Sequence, residues 1–125
     1  MNNKVYTPLI VASCYGKLEV VQFLISVGAN KEIKDNDGST PLIKASCYGK
    51  LEIVKYLISV GANKEAKNND GSTPLIKASC YGKLEIVKYL ISVGANKEAK
   101  NNDGRTALDY SGGAVREYLL SIARK

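Results

Sequence analysis

TPLIKASCYGKLEIVKYLISVGANKEAKNNDGS, residues 40–72, is followed at once by residues 73–105, which repeat it with one change, Ser72 against Arg105. Residues 7–39 match it with six changes: Val11/Lys44, Val20/Ile53, Gln22/Lys55, Phe23/Tyr56, Ile33/Ala66 and Asp35/Asn68. A further Thr, Thr106, opens Thr106-Ala107-Leu108-Asp109 at the same 33-residue spacing. The chain therefore divides into a six-residue lead, three units of 33 residues and a 20-residue remnant. A fixed period of this length marks an array of stacked supersecondary units.

Each unit reads as two helices and a turn. Thr40 suits an N-cap and Pro41 the first helical position. Leu42, Ile43, Ala45 and Ser46 give a short helix one mostly apolar face, and Gly49 after Tyr48 suits a left-handed helix stop. A second helix is expected from about Lys50 to Val60. Leu51, Val54, Leu57 and Ile58 keep helical spacing, and Ile53 widens the stripe. Gly61 ends it, and Asp70-Gly71 signals a tight turn in the polar stretch that follows. One unit has apolar residues on too many sides to stand alone, and stacking on its neighbours buries them.

A 33-residue helix–helix–turn unit carrying Thr-Pro-Leu resembles the ankyrin repeat family. The matching pieces in the second unit are Thr40-Pro41-Leu42, Ala45, Gly49, Leu51-Glu52-Ile53-Val54, Leu57, Gly61-Ala62 and Asp70-Gly71. The resemblance implies an all-α solenoid of stacked helix-turn-helix units joined by β-hairpin or turn loops. Residues 1–125 then form one domain, with repeats 7–39, 40–72 and 73–105 and a C-terminal capping repeat at 106–125. Two departures stand out. Ile10, Ile43 and Ile76 occupy the position of the family's His, which ties neighbouring loops, so that tie is expected to be apolar packing. Glu32, Glu65 and Glu98 stand where the family has a hydroxylated Asn, so that modification is not carried over.

Composition excludes several functions. The 125 residues are 45% hydrophobic and 24% charged, a globular mix. There is no histidine, which removes the commonest general base and metal ligand. No apolar run reaches the length of a membrane span. Val11-Ala12-Ser13-Cys14 resembles an export cleavage box, but Ala-Ser-Cys-Tyr-Gly-Lys recurs at 45–50 and 78–83 and is therefore structure. Cys14, Cys47 and Cys80 occupy one position of successive units. Helices packed about 8–10 Å apart do not bring such cysteines within disulfide reach. A ladder of free thiols fits a reducing compartment and a cytoplasmic location. Without a base they are not expected to act as nucleophiles, and a ladder does not converge on a metal. The Gly-Lys pairs at 16–17, 49–50 and 82–83 lack the rest of a phosphate loop. Asp37, Asp70 and Asp103 precede turn glycines without calcium-loop spacing, so turn formation is the reading adopted. No enzyme activity, cofactor or metal is expected.

The resemblance implies a non-catalytic protein-interaction scaffold whose hairpin tips and first helices form a concave groove. Carried onto this chain, the groove residues of the second unit are Lys34, Asn36, Asp37 and Ser39 from the preceding hairpin, with Cys47 and Tyr48 from the helix. In the third unit they are Lys67, Asn69, Asp70, Ser72, Cys80 and Tyr81. Cys14 and Tyr15 remain in the first, and Lys100, Asn102, Asp103 and Arg105 follow the third. Lys44 and Lys77 fall on the first helices and are expected to face the groove as well. The row Tyr15, Tyr48, Tyr81 is the leading candidate, since tyrosine often anchors interfaces. The competing reading has each ring packed over its own helix end with its hydroxyl in water.

Charge is uneven. The net charge of +6 is distributed as −1, +2 and +3 over the three successive units, with +1 in the lead and +1 in the remnant. That bias points to an acidic protein partner. Nucleic acid is not expected, because lysines alternate with Glu and Asp and no recognition motif occurs. The C-terminal remnant looks like a polar cap, with Gly112-Gly113 making a compressed turn and Arg124-Lys125 suiting a helix end. The first unit keeps Leu9, Ala12, Val20, Val21 and Leu24 behind a lead of only six residues. An exposed apolar edge is expected there, marking either a longer array or a self-association surface on an otherwise monomeric chain. Near-identity of the units leaves two origins open: recent duplication, or an engineered, consensus-like scaffold with no native ligand. Retained cysteines favour duplication.

Overall fold

The computed structural model describes residues 7–123. Among the described residues eight helices form in four pairs: α1 (Pro8–Cys14) with α2 (Leu18–Ser26), α3 (Pro41–Cys47) with α4 (Leu51–Ser59), α5 (Pro74–Cys80) with α6 (Leu84–Ser92), and α7 (Ala107–Tyr110) with α8 (Gly113–Ala123). The first helices stack as α1–α3–α5–α7 and the second helices as α2–α4–α6–α8, giving two helical layers.

The local signals act as expected. Thr7, Thr40 and Thr73 cap their helices. Each hydroxyl accepts the N–H three residues on, at 3.3 Å from Ile10, 3.2 Å from Ile43 and 3.2 Å from Ile76. Pro8, Pro41 and Pro74 occupy the first turn. Gly49 reverses the chain at φ +75°, a conformation that a Cβ disfavours. The second helices are a residue shorter at each end than expected, because Lys50 and Val60 act as caps. Ile53, Val54 and Leu57 form the buried stripe of α4, with Leu51 and Ile58 half-buried beside it. Full burial of each aliphatic side chain contributes about 1.5–3 kcal/mol. One hydrophobic cluster runs from Leu9 to Leu119 without a break.

Among the described residues no strand forms, so the loops are turns rather than ladders. Residues 35, 68 and 101 organise them. Asp35 Oδ1 accepts from the N–H groups of Asp37 (2.9 Å) and Ser39 (3.0 Å). Asn68 and Asn101 do the same in their own loops. An acid and an amide are interchangeable for this purpose, since both present the accepting oxygen.

The expectation that successive loops are tied by apolar packing alone is corrected by a polar ladder. Ile10, Ile43 and Ile76 are indeed buried. In addition, the Asn69 N–H donates to Asp37 O and the Asn102 N–H to Asp70 O, both at 2.9 Å. The Asn69 side-chain amide donates to Asn36 O at 3.1 Å and that of Asn102 to Asn69 O at 3.0 Å. Glu32 accepts the Asn63 N–H and Glu65 the Asn96 N–H, each at 2.8 Å. The position left vacant by the missing His is thus compensated by groups 31–33 residues apart.

The ends differ. At the C-terminus, Thr106 and Asp109 form a capping box on α7. The Tyr110 hydroxyl accepts from Asn101 Nδ2 at 2.7 Å, and Arg116 donates to Leu108 O at 3.2 Å. Arg124-Lys125 lies outside the described residues. At the other end Val20 is 45% exposed, whereas Ile53 at the same position of the next unit is 1% exposed against its neighbour. The exposed apolar edge expected there is narrower than the residues named for it: Leu9, Ala12 and Val21 are buried and Leu24 is half-buried, because the second unit covers them, while Val20 is exposed beside Phe23 and Val27, which the expectation did not name. No described helix is long and apolar enough to cross a membrane.

Candidate protein-binding groove

The first helices and the loops in front of them line three successive depressions. The first, about 710 Å³, joins Val11, Cys14 and Tyr15 to Asp37, Lys44 and Tyr48. The second, about 680 Å³, joins Asp37, Lys44, Cys47 and Tyr48 to Asn69, Asp70, Lys77 and Tyr81. The third, about 270 Å³, joins Asp70, Lys77 and Cys80 to Asp103 and Tyr110. Shared residues make the three one continuous groove. One lip is made of loop tips carrying the exposed Asp37, Asp70 and Asp103; the other is made of helix ends carrying tyrosines and lysines.

Tyr15, Tyr48 and Tyr81 are 71%, 53% and 54% exposed. Each caps the C-terminus of its first helix through its backbone N–H, which leaves the ring outside the core. Lys77 Nζ stands 5.3 Å from the Tyr81 ring centroid, a cation–π distance.

Several candidates turn out to be occupied. Ser39 and Ser72 line the second and third depressions but are only 3% and 5% exposed. Their backbones are drawn into the turns, and they form the floor rather than the walls. Asn69 and Asn102 spend their amides on the neighbouring loop. Lys34 and Lys67 lie outside the depressions, with Nζ donating to Lys67 O (3.5 Å) and Lys100 O (3.3 Å). Arg105 stacks over Tyr110 at 5.9 Å, and Asn36 remains exposed on the first loop tip.

Lys44 and Lys77 differ although their helices are identical. Lys44 Nζ pairs with Asp35 at 3.2 Å and with Asp37 at 3.7 Å. Burial alone would lower the Lys44 ammonium, but the hydrogen bond and charge of Asp35 outweigh it and raise its pKa. Asn68 replaces Asp35 in the next loop, and among the described residues Lys77 has no ion pair. The groove is therefore neutralised at its first junction and positive at its second.

Two lip residues escaped the sequence reading. Lys50 and Lys83 line the groove, and their stems run over Gly16 and Gly49 of the preceding unit. A Cβ on either glycine would meet the lysine Cδ at 3.2 Å. The Gly-Lys pairing was the available signal: the glycine leaves room for the next unit's lysine.

The three thiols are free, with Cys14 and Cys47 half-buried and Cys80 exposed. Burial pushes the Cys14 and Cys47 thiols up. For Cys47 this outweighs the opposing charges of Lys77 and Lys44, so both thiols stay protonated at neutral pH. Among the described residues no group of three or more Cys, Asp or Glu converges on a metal position.

A protein-family model for ankyrin repeats in three copies matches residues 1–68 and 52–123. No curated protein matches the chain. Ankyrin repeats are generally protein–protein interaction modules, and members of the family are typically non-enzymatic. The capped helix pairs, the left-handed stops and the stacked turns agree with that match, and the chain belongs to the ankyrin repeat family.

Proposed function

We propose that the chain is a single-domain, non-catalytic scaffold that grips an acidic stretch of a partner protein in this groove. The observation that carries the reading is the row of three exposed tyrosines, one at each unit, beside groove lysines of which, among the described residues, only Lys44 is paired with a carboxylate. Exposed aromatics grouped in depressions are characteristic interface anchors. The positive bias of the second and third units supports an acidic partner, which it would steer during encounter. The three unpaired thiols support a reducing, cytoplasmic setting.

The test is affinity capture from a native lysate, comparing the parent chain with Tyr48→Ala, Tyr81→Ala and, in the second-helix layer, Lys55→Ala. A partner retained by the parent and by Lys55→Ala, but lost from both tyrosine variants, is the expected result. Capture insensitive to both tyrosines refutes the groove. The near-identity of residues 40–72 and 73–105 favours one second reading, a consensus-like scaffold with no native ligand, and absence of any specific partner would support it.

A further inference from the structure

The groove is periodic, and a periodic site constrains its ligand. The Lys50 stem lies over Gly16 beside Tyr15 and the Lys83 stem over Gly49 beside Tyr48, so Tyr15 with Lys50 and Tyr48 with Lys83 form two lip subsites of the same composition. The lysine stems fold back over the preceding unit's glycine, so each ammonium is carried toward the neighbouring tyrosine's helix end. Among the described residues neither of these two lysines makes an ion pair. The opposite lip carries Asp37, Asp70 and Asp103, so the groove has one basic, aromatic side and one acidic side.

We propose that the partner segment is an extended polyproline II strand lying along the stack, with an acidic side chain at every third residue. The proposal rests on the groove-binding reading above and adds conformation and register to it. Adjacent helices stack about 8–10 Å apart, which sets the spacing of like subsites. Polyproline II has three residues per turn and rises about 3.1 Å per residue, so it returns the same side every ~9.3 Å. A β-strand alternates faces and cannot present residues i and i+3 to one side. An α-helix repeats a face after seven residues, about 10.5 Å, at the edge of that spacing, so a helical peptide is a competing arm of the test. A one-sided row of carboxylates also satisfies both lips: it meets the lysines and stays away from Asp37, Asp70 and Asp103. Flat ring faces such as Tyr15, Tyr48 and Tyr81 are the surface on which polyproline II segments dock.

The probes are two fluorescent peptides of equal composition. One is four repeats of Asp-Pro-Pro; the other has the four aspartates in a block before the eight prolines. Anisotropy titrations at low salt and at about 0.15 M salt separate register from bulk charge. The periodic peptide is expected to bind at least ten-fold more tightly than the block peptide. Lys83→Ala and Tyr48→Ala should each weaken it several-fold, while Lys55→Ala leaves it unchanged. Equal binding of the two peptides, no binding of either, or preference for a helical peptide with acids seven residues apart would overturn the register. If the lysate partner still depends on Tyr48 and Tyr81 in that event, the register alone falls. If that dependence is also missing, the groove reading falls with it.

Discussion

Gly71→Ala should damage the array far more than Gly104→Ala, although both glycines hold φ +78° in equivalent turns. Placing a side-chain residue in this left-handed region costs about 1–2 kcal/mol at either site. Only at Gly71 does the new Cβ also fall on the Asn102 side chain and backbone N; at Gly104 it meets nothing within 4 Å. Displacing Asn102 breaks the bonds from its N–H to Asp70 O and from its amide to Asn69 O. Each intramolecular hydrogen bond contributes about 0.5–1.5 kcal/mol. Gly71→Ala should therefore cost about 3–4 kcal/mol in total, roughly 2 kcal/mol more than Gly104→Ala. Any change in unfolded-chain entropy is common to both and cancels. With a urea slope of about 2 kcal/mol/M, the midpoint should fall by ~1.5–2 M in the first variant and by ~0.5–1 M in the second. Urea unfolding followed by far-UV circular dichroism reads this directly. Equal losses would show that local strain alone governs these turns, and that the bonds between loops contribute nothing measurable.

The contrast between Val20 and Ile53 gives a second comparison: Ile53→Ala should cost about 2–4 kcal/mol through the cavity it leaves, whereas Val20→Ala, at the same position on the open edge, should cost under about 0.5 kcal/mol by the same denaturation assay. Alkylation by iodoacetamide at neutral pH, followed by mass spectrometry, should modify Cys80 first and Cys14 and Cys47 slowly. Burial raises the latter thiols' pKa values, so the fold favours their protonated form and loses stability as pH climbs past the ordinary thiol value toward the folded one. Faster labelling of Cys47 than of Cys80 would contradict this placement. The Asp109 carboxylate is held below its ordinary range, chiefly by the Thr106 backbone N–H. Its contribution is present above the unfolded value and disappears as pH falls through the folded one. Asp109→Asn should therefore narrow the stability difference from the parent only at pH values below about 4.

The fold was legible because its determinants are local. Thr40 and Pro41 start a helix, Gly49 stops it, and the spacing of Ile53, Val54 and Leu57 selects a buried face, all within a few residues of one another. Thrice repeated, these signals leave little choice but stacking, since no single unit can cover its own apolar residues. The tyrosine row was visible for the same reason: its period is the period of the array.

What the tertiary structure alone decided is which side chains the neighbouring unit consumes. Ser39 and Ser72 sink to the groove floor, Asn69 and Asn102 are spent on the preceding loop, and Glu32 and Glu65 satisfy backbone donors of the next. The exchange of Asp35 for Asn68 looks neutral in sequence, because either residue organises the turn. Only the proximity of Lys44 to Asp35 turns it into a change of groove charge. These contacts span units, or join a loop tip to a helix surface. They depend on the offset and rotation with which packed bodies meet, a quantity set by side-chain volumes across the interface rather than by spacing along the chain.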